Sequence, residues 1–409
     1  MSCAETERIT RVRGVDMLLL FGLGLLCRLI AVAVVHPIPI EDARVYDDLA
    51  RLMVSGQRFF STYRTPGYLM FLALCHWLLG PTPVSAQIVQ ALIGSFGVVA
   101  VYLLAHRLAN RPVAFTAGML ASTHIGLVAF VTVLMTETLF VALFALLLLF
   151  LASGWHRSPV GSILCGVLFG VTSLVRPSLV YFIVPIVTIL FVGQKWRHGL
   201  LLATAFVVSV ELTFLPQQVY QFLQWRHLVV LDLNSGLNFY IGNRPDASGR
   251  YNLSTDWKEH APFVGKNGYE RDRIAFAEGL RFVTANPRRF CALTFGKATE
   301  FWTLPLYGPD LRLPRWVGLL DQLQWFLLVI LGVVGTLVTL RLPPFWLLHL
   351  CIVYFWSVHA LTFNDYRYRL QILPALFVLA AMGAVSSSAT LASYIRRSAS
   401  DDRINHRSV

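Results

Sequence analysis

Apolar blocks, several of about 20 residues, alternate along this chain with short polar or basic segments. At 1.5 Å per residue, a helix of about 20 residues crosses roughly 30 Å of lipid hydrocarbon. The composition agrees, because 56% of residues are hydrophobic and only 14% are charged, against about 25% charged in soluble proteins. The sequence therefore predicts an all-α polytopic membrane protein and argues against a soluble globular domain.

We predict about ten transmembrane helices with both ends in the cytoplasm, because the short loops on one side carry most of the basic residues. A helix at 67–79 in the first outer loop (36–85) is too short to span and is predicted to lie at the interface. A long outer loop, 216–320, contains predicted helices at 273–285 and 290–302. We expect one transmembrane domain over 1–395 and a cytoplasmic tail over 396–409. The predicted spans are 15–35, 86–105, 113–130, 139–152, 160–174, 179–192, 200–215, 321–340, 345–361 and 370–395.

The net charge of +12 could indicate a nucleic-acid partner, but the positive-inside distribution explains it better. We therefore expect no nucleic acid as partner. The six cysteines show neither C-x-x-C nor metal-ligand spacing. No Gly-rich dinucleotide motif or Asp-x-Asp metal motif is visible. We therefore expect no cofactor, and the sequence leaves metal dependence unresolved.

Polar residues gather at the predicted outer ends of the helices. Asp42, Glu137, Arg176 and the segment 364–369 all fall on that side. Arginine forks suit phosphate, and a nearby carboxylate can act as general base towards a hydroxyl. This set suits a lipid-phosphate substrate attacked by an alcohol.

Each of these residues also has a purely structural interpretation. Asp42 could be a solvated loop acid, Glu137 and Arg176 could simply pair with one another, and Arg367 and Arg369 could anchor the chain at the interface. Tyr46 could be an aromatic-belt residue. The residues around Asn238 could serve only as turn-formers, and Arg28 within the first span could snorkel to the outer headgroups, which we favour over a role in a site.

Taken together and in order, several segments resemble the GT-C glycosyltransferase superfamily, in the branch of the protein O-mannosyltransferases and the lipid A aminoarabinose transferases. The resemblance covers about 15–395. It is carried by Asp42-Ala43-Arg44-Val45-Tyr46, Arg64-Thr65-Pro66-Gly67-Tyr68, Thr136-Glu137-Thr138, Arg176-Pro177, Asn234-Ser235-Gly236-Leu237-Asn238 and Arg367-Tyr368-Arg369.

The resemblance implies an enzyme of the bacterial inner or plasma membrane. It would move a sugar from a polyprenyl-phosphate carrier to a hydroxyl acceptor on the outer face, usually with inversion. The acceptor would be a glycolipid, a polysaccharide or a protein. The residues that the resemblance assigns are Asp42 and Glu137 as catalytic acids, and Arg64, Arg176, Arg367, Arg369, Tyr46 and Asn238 as substrate or phosphate ligands. The family often has an Asp-Glu pair where this chain has Glu41-Asp42, so either acid could be the base.

Three other functions remain open at this point. A flippase for lipid-linked glycans would place polar residues near the membrane midplane on broken helices. A lipid-phosphate phosphatase or phosphoethanolamine transferase would need a nucleophile or clustered histidines outside. A purely structural membrane subunit is the third, and activity that is retained after Asp42 is changed would favour it.

Overall fold

The computed structural model describes residues 13–36, 41–57, 61, 63–252, 257–305 and 313–387, and this part of the chain is helical apart from connecting segments and one isolated bridge. The predicted all-α class is confirmed. The helices are α1 (Gly14–Val34), α2 (Glu41–Val54), α3 (Pro66–Leu79), α4 (Pro83–Leu108), α5 (Arg111–Thr123), α6 (Ile125–Phe130), α7 (Glu137–Ala152), α8 (Pro159–Val175), α9 (Ile183–Phe191), α10 (Trp196–Trp225), α11 (Ser235–Gly242), α12 (Gly268–Ala285), α13 (Pro287–Thr303), α14 (Arg315–Thr339), α15 (Trp346–Leu361) and α16 (373–387).

Six helices in the described residues are long and apolar enough to cross a membrane. They are α1, α4, α10, α14, α15 with the turn before it (Pro343–Leu361), and α16 with the 3-10 turn before it (Tyr366–Ser387). Each coincides with a predicted span. Three further predicted spans correspond to shorter apolar helices, namely α7, α8 and the segment Pro177–Phe191. The end of the last predicted span and the predicted tail at 396–409 lie outside the described residues.

The predicted span 113–130 is wrong as a continuous helix. The chain breaks at His124, whose backbone is extended at φ −66° and ψ 114°. The His124 Nδ1 atom accepts a hydrogen bond of 3.3 Å from the Leu127 N–H and so caps α6. Because the imidazole replaces the missing backbone acceptor at the start of α6, the apolar sequence can turn here without leaving the bundle.

The first outer loop folds into α2 and α3, which pack together. An ion pair of 2.7 Å between His76 Nε2 and Asp47 Oδ1 joins the two helices. The α3 helix begins at Pro66, a position where the missing N–H costs nothing. It has 14 residues, so the prediction of a helix too short to span is confirmed.

Helix α10 does not end at residue 216, where the long outer loop is predicted to start, but continues through Pro216 to Trp225. Gln217 holds this extension in place. Its Nε2 atom donates to the carbonyls of Ser61 at 2.9 Å and Leu231 at 3.1 Å. Three chain segments therefore meet at one buried amide.

The two helices predicted in the long loop are confirmed as α12 and α13. The α12 helix begins earlier than predicted, at Gly268, because Asn267 and Glu270 form a reciprocal capping box. It ends at Asn286, directly before Pro287, as the sequence indicates. The segment between α10 and α14 therefore contributes these two helices, and Phe301 of α13 is buried in the main apolar core.

Close approach of small residues builds the bundle itself. A Cβ atom on Gly166 of α8 would lie 2.5 Å from the Phe206 carbonyl oxygen of α10, and one on Gly170 would lie 2.7 Å from Thr213 Cβ. These two glycines let the backbones of α8 and α10 touch, as is common between membrane helices. The resulting rigid bundle holds the helix ends that carry the polar residues.

Candidate active site

The polar residues predicted from sequence converge on Asp42, in the first turn of α2. Its carboxylate forms ion pairs with Arg64 and with Arg367, the latter at 3.1 Å between Oδ2 and Nη1. Arg64 precedes α3, and Arg367 lies in the 3-10 turn Tyr366–Ile372. One carboxylate thus joins three segments that are far apart in the sequence.

Arg64 is positioned by the backbone around it and by an aromatic ring. The Arg64 N–H donates to the Ser61 hydroxyl at 3.2 Å. Its guanidinium lies 5.3 Å from the centre of the Tyr46 ring, a cation–π distance. Tyr46 follows Asp42 by one helical turn, so α2 presents both residues on the same face.

Arg367 has a second carboxylate beside it. Its Nε atom lies 3.2 Å from Asp365 Oδ2. The other Asp365 oxygen accepts from the Arg367 backbone N–H at 3.2 Å and caps the 3-10 turn. This local cap fixes the direction in which the Arg367 side chain leaves the backbone.

The residues around Arg367 are in turn anchored to Gly249 and to helix α13. The Asn364 N–H donates to the Gly249 carbonyl at 2.9 Å, and its side-chain amide donates to the Lys297 carbonyl. The Lys297 ammonium is buried and donates to the carbonyls of Thr362 at 2.9 Å and Gly242 at 3.1 Å. The outer loop is therefore bound to the segment that carries Arg367.

A second ion pair lies beside the first cluster. Glu137 Oε1 and Arg176 Nη1 are 2.8 Å apart, and these side chains are 1% and 11% exposed. The Arg176 guanidinium lies 5.3 Å from the centre of the Tyr368 ring, and the Arg367 guanidinium 5.7 Å from it. The ring of Tyr368 is thus shared by the arginines of both ion-pair groups.

The two groups differ in access. The side chains of Asp42, Arg64 and Arg367 are 26%, 29% and 20% exposed, so an incoming anion can reach them. Burial alone would raise the pKa of Asp42, but the charges of Arg64 and Arg367 outweigh it and hold that pKa below its usual value. The resting cluster is an ionised carboxylate between two cations.

Arg369 does not join this cluster, and its role as a phosphate ligand stays a prediction. Its Nη2 atom pairs with Asp321 Oδ2 at 2.7 Å, and its Nη1 atom donates to the Leu304 carbonyl at 2.6 Å. Both charged side chains are essentially inaccessible. Arg369 points into the bundle because Asp321, which the sequence analysis treated only as the start of a span, supplies its counter-ion there.

Two residues of the long loop also bear on the prediction. Asn238 lies on α11, and in the described part of the chain its side chain forms no hydrogen bond to Asp42, Arg64 or Arg367.

Sequence reasoning missed Asp232. Burial, with the nearby charge of Asp272, raises the pKa of Asp232 to about 7, and Arg64 opposes that rise.

No signal in the sequence distinguishes Asp232 from an ordinary loop acid. The segment that carries it becomes part of the site only through folding, because the Asn234 amide donates to the Tyr63 carbonyl next to Arg64. The side chain of Glu41, the alternative base, lies outside what the structure describes. Among residues 13–36, 41–57, 61, 63–252, 257–305 and 313–387, no group of three or more His, Cys, Asp or Glu side chains is arranged to hold a metal ion.

Comparison with known proteins agrees with this architecture. Residues 63–217 match the family model described as dolichyl-phosphate-mannose-protein mannosyltransferase. No curated protein matches the chain by sequence. Among solved structures, the chain is similar to the oligosaccharyltransferase AglB of Archaeoglobus fulgidus in complex with an inhibitory peptide and a dolichol-phosphate, at 13% identity and a TM-score of 0.54.

The apo form of the Archaeoglobus fulgidus oligosaccharyltransferase matches at 12% identity and a TM-score of 0.55. The match covers 94% of this chain and 52% of that one, and for the dolichol-phosphate complex the shares are 93% and 52%. The chain therefore spans about half the length of these relatives. ArnT of Cupriavidus metallidurans in the apo state matches at 15% identity over 92% of this chain and 79% of that one, at a TM-score of 0.43.

The fold and the family match together define the class of protein. The chain is an integral membrane protein with the fold of the GT-C glycosyltransferase superfamily, which confirms the resemblance predicted from its sequence. The family model matches residues 63–217, which is less than half of the chain.

Proposed function

We propose that this protein is a membrane glycosyltransferase. It moves a sugar from a polyprenyl-phosphate carrier to a hydroxyl of a glycolipid, polysaccharide or protein on the extracytoplasmic face. The observation that carries the proposal is the Asp42 carboxylate held between Arg64 and Arg367 at an accessible position. The family match to a dolichyl-phosphate-dependent transferase supports the choice of donor class.

In this proposal the carrier phosphate competes with Asp42 for the two arginines. A phosphodiester oxygen bound to Arg64 or Arg367 replaces one carboxylate contact and leaves Asp42 free to accept a proton. Neutralising the arginines also removes the charges that lower the Asp42 pKa, so the carboxylate becomes a stronger base when donor is bound. Binding of the donor would therefore prepare the base.

The reaction is then a single displacement. The acceptor oxygen forms a bond to the anomeric carbon while the bond from that carbon to the phosphate oxygen breaks. The acceptor proton passes to Asp42, and the electron pair leaves with polyprenyl phosphate. Attack from the face opposite the phosphate inverts the anomeric configuration. Arg64 and Arg367 stabilise the charge that develops on the leaving phosphate.

Glu137 and Arg176 act beside this centre. Because Glu137 neutralises Arg176 inside the bundle, the pair can hold the Tyr368 ring next to Arg367 without adding net charge. The Tyr46 ring holds the Arg64 guanidinium through their cation–π contact. We assign Asn238, which lies on α11, to the acceptor side.

The test is incubation of purified full-length protein with a panel of radiolabelled polyprenyl-phosphate sugars and membrane acceptors. Transfer of label to an acceptor, with an inverted anomeric linkage by NMR, is the expected result. Movement of intact lipid-linked sugar across a vesicle membrane without covalent transfer would instead support the flippase interpretation. Cysteine labelling from outside intact cells should reach positions 42 and 367, and should not reach 107 or 195.

The assignment of the base is tested by paired variants in the first outer helix. Asp42→Asn should lose transfer, and Glu41→Gln should retain it. Asp48→Asn is a matched control, because Asp48 is an exposed carboxylate on the same helix. Full activity in both Asp42→Asn and Glu41→Gln would exclude the first outer loop from the chemistry.

A further inference from the structure

The buried arginine of the first span, Arg28, is not explained by the proposed transferase chemistry. Its side chain does not snorkel to the headgroups as the sequence analysis favoured, because the residue is only 2% exposed. It lies in α1, and its guanidinium faces the interior where α1, α4 and α5 meet. An arginine keeps its charge in proteins, so this position holds a buried cation.

The known contacts of Arg28 are all with backbone carbonyls. Nη1 donates to Gly24 at 3.0 Å and to Ser122 at 3.4 Å, and Nη2 donates to Ala121 at 3.4 Å. The last two carbonyls belong to the end of α5, where the break at His124 leaves them without helical partners. These contacts explain the orientation of the guanidinium but supply only partial negative charge.

Two polar groups at this place have no partner. The Arg28 Nε atom is buried without a hydrogen-bond acceptor, and so is the hydroxyl of Thr138. Within the described residues, no carboxylate forms an ion pair with Arg28. A buried cation without a counter-charge in the membrane interior is costly and usually functional.

Arg28 and Thr138 both line one cavity, whose volume is about 20 Å³. The other residues that line it are apolar, among them Gly94, Leu127 and Phe377. A space of about 10–15 Å³ is enough for one water-sized species. Gly94 keeps the cavity open, because a Cβ there would lie 2.7 Å from Arg28 Nε and 3.3 Å from Thr138 Cγ2.

We propose that this cavity is an anion site that binds one small monovalent anion of the chloride or bromide type. The Arg28 Nε–H and the Thr138 hydroxyl are its donors, and the anion supplies the charge that the carbonyls do not. The small volume of the cavity favours a single halide over the much larger gluconate. This site is distinct from the Asp42 cluster, which binds a phosphodiester at the helix ends.

The N-terminus of α7 adds to the field at this position. Thr138 lies in the first turn of that helix, where unpaired backbone N–H groups and the helix dipole favour negative charge. The neighbouring residue, Glu137, faces Arg176 instead. The anion site and the candidate active site therefore share the first turn of α7 through neighbouring residues, Thr138 and Glu137.

Thermal unfolding of the purified full-length protein tests the proposal. Chloride or bromide, titrated against gluconate at constant ionic strength, should raise Tm along a saturable curve by about 1–3 °C. Thr138→Val keeps the shape of the side chain but loses the hydroxyl, so half-saturation should need about fivefold more halide. Thr172→Val is the matched control, because Thr172 is a buried threonine of α8 whose hydroxyl bonds to its own helix at 2.6 Å.

Arg28→Gln should abolish the halide dependence altogether. If this variant does not fold, Thr138→Val decides the outcome. The location is tested by anomalous scattering from a bromide-grown crystal of the native chain, which should show a peak between Arg28 and Thr138. Equal Tm values in chloride and gluconate, an unchanged half-saturation in Thr138→Val, or density that fits water alone would each overturn the proposal.

Discussion

Replacing Asp42 by asparagine separates its two proposed roles, because it should impair catalysis and improve binding of the carrier. Asparagine keeps the size of aspartate but cannot accept the acceptor proton or neutralise Arg64 and Arg367. Loss of a general base costs about 10²- to 10⁴-fold in turnover. The same substitution frees both guanidinium groups for phosphate.

The gain in binding follows from the geometry of the cluster. Each ion pair of Asp42 is partly exposed, and such pairs contribute up to about 1 kcal/mol each. The carrier has to displace about 1–2 kcal/mol of interaction in the native protein and none of it in Asp42→Asn. At 1.4 kcal/mol per factor of ten, the variant should bind polyprenyl phosphate about 5- to 30-fold more tightly.

The assay is a titration of detergent-solubilised protein with polyprenyl phosphate, run beside transfer assays on the same preparations. Asp48→Asn should match the native protein in both measurements. Weaker carrier binding in Asp42→Asn than in the native chain would refute competition between carboxylate and phosphate. Turnover within tenfold of native would refute the role of Asp42 as base.

Three further predictions concern the surroundings of this cluster. Glu137→Gln leaves the Arg176 charge buried without its partner and should destabilise the fold by about 3–5 kcal/mol. Thermal or denaturant unfolding measures this loss, and stability should partly recover when Arg176→Gln is added. Deprotonation of Asp232 near pH 7 puts a negative charge near Arg64. Binding of a polyprenyl-phosphate sugar should therefore weaken as the pH rises through about 7, because the phosphodiester itself does not titrate there. Asp232→Asn should remove this pH dependence. Burial lowers the pKa of Lys297 to about 8, so between about pH 8 and 10.5 the unfolded chain binds more protons than the folded chain. The Tm of the native protein should therefore rise over that interval relative to the Tm of Lys297→Met. A difference in Tm that does not change with pH would contradict this.

The apolar blocks predicted most of the helices, because a segment of that length and composition has no stable state in the membrane other than a helix. They did not predict the break at His124. The apolar pattern continues across this position, and the break depends on an imidazole cap and on Arg28, which is 96 positions away in the sequence. Hydropathy carries no information about such a contact.

Arginines two positions apart in the segment 367–369 show a second limit. In a 3-10 turn, with three residues per turn, residues i and i+2 leave the axis on different sides. Arg367 therefore reaches Asp42 while Arg369 reaches Asp321. The sequence shows two equivalent basic residues, and only the backbone conformation and the position of Asp321 distinguish them.

The anchoring of the chain on both sides of Arg367 has a kinetic consequence. Asn364 is fixed to helix α13, and Arg369 is fixed to Asp321, so the backbone between them has little freedom to move. Loops that open and close typically do so in microseconds to milliseconds, whereas side-chain rotations take picoseconds to nanoseconds. A phosphate at Arg367 would then exchange by rotation of the Arg367 side chain on a fixed backbone. Opening of this segment would not set the rate of carrier release.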